Sequence, residues 1–222
     1  FFDNAGLPEE KRKKIIQNTP KGTKIYKNKI LGLRGKATGM VFSNFDRTQH
    51  VKSREWAQQF LPAPGKKEFL MYFSAGIDTS YSQSSPDTIA FSFLGITNRG
   101  KCIVLDEKVY NNADLDKPLA PSDTVKNLID FLERNRREWG LARNAFLDSA
   151  DQATMQEWEK YRRMHGCIYV LNNAWKSMEI IDRINAQLGW MAYDADETIE
   201  PCFYVLEHCE NYLYELEVYS WR

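Results

Sequence analysis

Apolar positions in the first 66 residues come in short groups, interrupted by Pro8, Gly22, Gly32, Gly35, Gly39, Pro62, Pro64 and Gly65. This pattern predicts a Lys-rich helix from Pro8 to Asn18, then short extended pieces without a core of their own. After Gly65 the pattern strengthens. Phe69 to Ile77 is a continuous apolar and aromatic run, as expected for a strand buried on both faces, and it ends in Asp78. Thr88 to Ile96 and Cys102 to Tyr110 read as two more strands, joined by Thr97-Asn98-Arg99-Gly100, a hairpin turn by length and chemistry.

The period then changes from two to 3.6. Val125, Leu128, Ile129 and Leu132 fall on one helical face, with Ser122 or Asp123 as cap and Gly140 as stop. A short strand from Asn144 to Leu147 ends in Asp148. A helix from Ala153 to Met164 stops at Gly166, and a strand from Cys167 to Leu171 follows. One helix is expected from Lys176 to Leu188 and a last one carrying Val205, Cys209, Tyr212, Leu213 and Leu216 on one face. The order predicts an α/β domain with a mixed sheet, antiparallel through the hairpin and parallel through helical crossovers.

Composition changes this picture in three places. Hydrophobic residues make up 43% of the chain, enough for a real core. Net charge is zero, yet ten Lys or Arg and no acid lie between Lys11 and Lys36, while Ile184 to Trp221 holds eight acids and no Lys or Arg. The basic stretch suits a phosphate backbone or a solvated arm. Cys102, Cys167, Cys202 and Cys209 form no C-x-x-C pair and read as buried, reduced thiols of a cytosolic protein. No apolar run has a membrane span's length. The start, Phe1-Phe2-Asp3, has no signal-peptide pattern and no initiator Met, as expected of a piece of a longer chain.

Two acids carry the candidate chemistry, because each closes a strand. Carboxyl ends of strands form the crevice of an open α/β sheet, so Asp78 and Asp148 can converge there. Either acid alone also fits the plainer role of capping the turn or helix that follows. The pair favours a shared site for a hard, oxygen-ligated cation such as Mg²⁺ or Mn²⁺, as phosphodiester hydrolysis requires. Glu107, in Leu105-Asp106-Glu107, is a weaker candidate at a strand end, with a surface role as its alternative. Lys176 suits a phosphate or carboxylate contact, or a solvated lysine at a helix start. His50, His165 and His208 are scattered, and Gly32 to Thr38 does not meet the phosphate-loop spacing.

Several fragments, in order along the chain, resemble phage terminase large subunits. Asp3 to Pro8, Gly32-Leu33-Arg34-Gly35, Gly39 to Phe45 and His50-Val51 resemble the family's linker and first nuclease strands. Gly76-Ile77-Asp78 with Ser85-Pro86-Asp87-Thr88 is similar to its first acidic motif, and Leu147-Asp148-Ser149-Ala150-Asp151 to its second. Trp175-Lys176-Ser177 resembles its lysine segment, and Pro201 to Glu215 with Tyr219-Ser220-Trp221 its closing helix and strand.

The resemblance implies a ribonuclease H-like mixed sheet flanked by helices, with residues 1–66 a basic linker and lead-in and 67–222 the nuclease domain. It implies double-stranded DNA as substrate, cut with little sequence preference, and two divalent ions, Mg²⁺ or Mn²⁺. Asp78 would hold both ions, and Asp148 one of them while orienting the attacking water. Lys176, Arg34 and Lys36 are the candidate nucleic-acid contacts. An N-terminal packaging ATPase, a small terminase subunit and a portal are the implied partners, in the host cytoplasm during virion assembly. The family's last acid or His lies beyond the closing Tyr-x-Trp, so the third ligand is expected past Arg222. Two rivals stand beside this reading: a non-catalytic DNA-binding or docking module on the same fold, and an actin-like phosphotransferase suggested by Gly76 to Ser80.

Overall fold

The computed structural model describes residues 6–19, 21, 26, 30–32, 39–81, 88–174, 177–194 and 198–221. Its strands are β1 (Val51–Lys52), β2 (Leu70–Asp78), β3 (Thr88–Thr97), β4 (Cys102–Asn111), β5 (Asn144–Leu147), β6 (Val170–Asn173) and β7 (Phe203–Leu206). They form one seven-stranded sheet in the order β1-β7-β4-β3-β2-β5-β6. The helices are α1 (Glu9–Gln17), α2 (Arg47–His50), α3 (Arg54–Gln58), α4 (Pro121–Glu138), α5 (Gln152–His165), α6 (Ile180–Trp190) and α7 (Glu210–Val218).

The chain forms two compact units. One gathers Phe1–Val51, Ser177–Val205 and Tyr212–Arg222, and the other holds Lys52–Lys176 with Leu206–Asn211. In the first, Val41, Ile184 and Leu188 make a small core with Phe42 against it. The Val41 amide donates to Tyr219 O (2.8 Å) and the Trp221 amide to Gly39 O (2.8 Å). His50 is fully buried there; its Nε2 donates to Met191 O (2.9 Å) and its Nδ1 accepts from the Asp46 amide (3.0 Å). Both ring nitrogens are thereby used in holding the backbone.

The second unit contains the mixed part of the sheet. β2 pairs antiparallel with β3, and β3 with β4, as the hairpin pattern predicts. Gly100 takes φ +87° in the connecting turn, where a side chain would be strained. β2 also pairs parallel with β5, which the chain reaches after β3, β4 and helix α4, and β5 pairs parallel with β6 through the single helical crossover α5. In β3 the alternation is complete: Ile89, Phe91 and Phe93 are buried, and Ala90 and Ser92 between them half-buried. Helix α4 covers the buried face, with Phe131 5.7 Å from Phe91 and 6.3 Å from Phe93 between ring centres. Helix α5 packs beside α4. The expected architecture, a mixed α/β sheet flanked by helices, is the one observed.

Several local expectations change. β2 is buried on one face only: Tyr72 stays 60% exposed, while Ala75 and Ile77 are buried. Helix α4 starts at Pro121, before the expected caps Ser122 and Asp123, since proline fits a first helical position; Asp123 instead accepts the Ala120 amide (3.2 Å). β6 begins at Val170 rather than Cys167, because its partner β5 begins opposite, at Asn144. Helix α6 begins at Ile180, after Glu179 in an extended conformation (ψ 145°). Val205, expected on the last helix, lies instead in β7, whose four residues are all buried. β4 continues to Asn111, so Glu107 lies within a strand rather than at its end. Of the four thiols only Cys102 and Cys209 are buried; Cys167 is half-buried and Cys202 exposed.

Candidate active site

The ladder between β2 and β5 ends on the pair Ile77↔Leu147. Asp78 and Asp148 are the next residues on each strand, so they stand level at the carboxyl ends of adjacent parallel strands, which lie about 4.8 Å apart in a sheet. Alternation places Asp78 opposite the helix-covered side, on the face that carries Gly76 and its partners Ser92 and Phe146. That face is open: Phe146 is 40% exposed.

The two acids have different surroundings. Asp78 is solvent-exposed. Asp148 is half-buried and its Oδ1 accepts the Ala150 amide (2.8 Å), while its carbonyl accepts the Asp151 amide (3.0 Å). The turn role that any strand-end aspartate can play is thus present at Asp148. That bond takes one of the roughly four acceptor positions an ionised carboxylate offers.

Asp151 caps α5: its Oδ1 accepts the Thr154 amide (3.0 Å) and its Oδ2 accepts the Thr79 hydroxyl (2.5 Å). Two residues on from Thr79, the Tyr81 hydroxyl donates to Thr124 Oγ1 (3.1 Å) and shares a bond with Thr154 Oγ1 (2.5 Å). Burial pushes the Tyr81 phenol above its ordinary pKa. In the sequence, Asp151 stands out only as a member of the second acidic motif. An Asp three residues before Thr154 is a helix-start signal, but nothing in the sequence tells that Thr79 is its other partner.

Glu107 is not brought to the acids. Its Oε1 accepts from the Asn211 amide (2.8 Å) and side chain (3.1 Å) at the start of α7. Among the described residues, no three or more His, Cys, Asp or Glu side chains converge as a metal cluster. Arg34, Lys36 and Lys176 lie outside the described residues, as does most of the Gly32 to Thr38 loop. The Ala174 amide, just before that lysine segment, donates to Leu147 O (2.7 Å), so β6 leaves the sheet beside Asp148. No helix among the described residues is long and apolar enough to cross a membrane.

Fold and site define an α/β protein with a mixed sheet and paired acids at level strand ends. No family profile matches the sequence, and no curated protein matches it. Among solved structures, the chain is similar to the large terminase of a thermophilic bacteriophage. In crystal form 3 of that terminase the TM-score is 0.62 at 18% identity, over 100% of this chain and 47% of that one. With ADP bound to it the TM-score is 0.63 at 18% identity, over 99% and 46%. In crystal form 2 it is 0.61 at 18%, over 97% and 44%. At this identity the likeness establishes a shared fold, and the chain spans about half the length of the terminase chains it matches.

Proposed function

We propose that this chain is the nuclease part of a phage terminase large subunit, a divalent-metal-dependent endonuclease acting on double-stranded DNA during genome packaging. The observation that carries the reading is the level placement of Asp78 and Asp148 on parallel neighbours. The fold shared with a large terminase supports it, as does the collinear order of the acidic motifs.

The donor set fits a hard cation. Both side chains offer only carboxylate oxygens, with no thiol or imidazole beside them in sequence, which suits Mg²⁺ or Mn²⁺ with water completing the shell. Asp78 would take part in holding both ions of a complete site and Asp148 one of them. Bound there, the ions supply Lewis acidity and a nucleophile available at neutral pH. The residues' own contribution is placement. The sheet holds the two strand ends at one level, and the Asx turn at Asp148 fixes the direction from which its carboxylate orients the attacking water. Arg34, Lys36 and Lys176 supply positive charge suited to the phosphate backbone. In the full protein the partners would be an N-terminal packaging ATPase, a small terminase subunit and a portal, in the host cytoplasm.

The rival, a non-catalytic docking module on the same fold, draws on the turn-forming bond of Asp148. Nicking of supercoiled plasmid in Mn²⁺ separates the two. The wild type should relax the plasmid, while Asp78→Asn and Asp148→Asn should each abolish nicking and melt as the wild type does. Asparagine at 148 keeps an oxygen for the Ala150 amide, so the turn survives. An inactive wild type, or full activity in either variant, overturns the assignment.

A further inference from the structure

Asp78 and Asp148 both lie one step beyond the last ladder pair, Ile77↔Leu147, so the pairing of β2 with β5 stops short of them. A side chain takes over there. Thr79, which follows Asp78, gives its hydroxyl to Asp151 Oδ2 (2.5 Å) across 72 residues of sequence. Asp151 lies three residues beyond Asp148, ties its own amide to Asp148 O (3.0 Å), and receives the Thr154 amide on Oδ1 (3.0 Å). One carboxylate thereby joins the exit from β2 to the turn after β5 and to the first turn of α5. Hydrogen bonds to an ionised acceptor are roughly twice as strong as neutral ones, and Asp151 is half-buried.

We propose that Asp151 is a positioning residue for the metal site: its bond to Thr79 sets the separation of Asp78 and Asp148, and with it the affinity for the divalent cation. This rests on the nuclease reading above. Both oxygens of Asp151 already serve neutral protein donors, which suits a support for the ligands rather than a third ligand. The same loop has a second attachment that does not involve Asp151, from Tyr81 to Thr124 and Thr154. Loss of the Thr79 bond should therefore loosen the two acids without detaching the segment.

The test uses the full chain and measures Mn²⁺ binding by calorimetry without DNA, beside the Mn²⁺ dependence of nicking and the melting temperature. Asp151→Ser keeps a helix cap but is too short to reach Thr79, and Thr79→Val removes the donor while leaving the cap. Each should bind Mn²⁺ about 10- to 100-fold more weakly, the usual cost of losing a support behind a metal ligand. The double variant should be no worse than either single one. Asp151→Asn keeps both reach and cap, and should restore most of the affinity lost in Asp151→Ser. If the wild type binds Mn²⁺ and Thr79→Val binds it equally well, the positioning role is overturned and the nuclease reading stands. A fall in melting temperature with unchanged Mn²⁺ affinity makes Asp151 a structural cap only. A wild type that binds no Mn²⁺ removes the nuclease reading, and this proposal with it.

Discussion

Replacing Gly140 by alanine should destabilise the protein well beyond the same change at Gly100. Both glycines have positive φ, +152° at Gly140 and +87° at Gly100, so an added Cβ strains the backbone at either position. Such strain costs about 1–3 kcal/mol. The surroundings differ. At Gly100 nothing lies within 4 Å of the new carbon, whereas at Gly140 it would collide with Phe73 Cε2 and fall 2.7 Å from Phe73 Cζ. Phe73 cannot swing freely, because its ring packs on Phe93 at 5.9 Å. Overpacking of this kind adds about 1–3 kcal/mol. Gly140→Ala should then lose roughly 2–6 kcal/mol in all, exceeding Gly100→Ala by roughly 1–3 kcal/mol. For a protein of this size each kcal/mol moves the melting temperature by about 2–4 °C.

Urea and thermal unfolding followed by circular dichroism measure both variants. Phe73→Leu should cost less in the Gly140→Ala background than in the wild type, with a coupling of at least about 1 kcal/mol, because the shorter side chain removes the clashing ring atoms. Equal losses at Gly140 and Gly100, or additive behaviour with Phe73→Leu, would show that the close approach of residues 140 and 73 is wrong. The consequence reaches the site, since Phe73 lies on β2, the strand that ends in Asp78.

Thiol accessibility should follow burial. In a disulfide-exchange assay at mild alkaline pH, Cys202 should react first and Cys167 later, while Cys102, its pKa pushed up to about 12 by burial, should react only on unfolding. Rapid modification of Cys102 in the native protein would contradict the packing of β4. Acid stability should depend on Glu217, whose carboxyl is held below its ordinary pKa of 4.5 by the hydrogen bonds from Arg47 (2.5 and 3.0 Å). A depressed carboxylate contributes stability above its unfolded pKa and loses it as pH falls through the lower folded value. Arg47→Gln should therefore flatten stability against pH below 4.5, while costing at most about 1 kcal/mol at neutral pH because the pair is exposed. Equal acid sensitivity of Arg47→Gln and the wild type in urea unfolding would refute that link.

Local pattern carried much of the central sheet. Strand β3 and helix α4 were legible because their burial follows periods of two and 3.6, and β4 because it is an apolar run set off from β3 by a turn that Gly100 marks. Asp78 and Asp148 were legible as strand-end acids because each directly follows a short apolar run. The sequence alone could not settle residues 203–206: Val205, Cys209 and Leu213 satisfy helical spacing, and a four-residue apolar run fits either structure. Tertiary packing decided it, since all four residues of β7 are buried, as no one-sided helix would be. The sequence could not show that Ile77 pairs with Leu147, so that the acids after them stand level, because parallel pairing across a helical crossover leaves no local sign. Nor could it join Thr79 to Asp151. Periodicity reports which side of its own element a residue occupies; which residue faces it from a segment 72 positions away is decided only when the strands and helices pack.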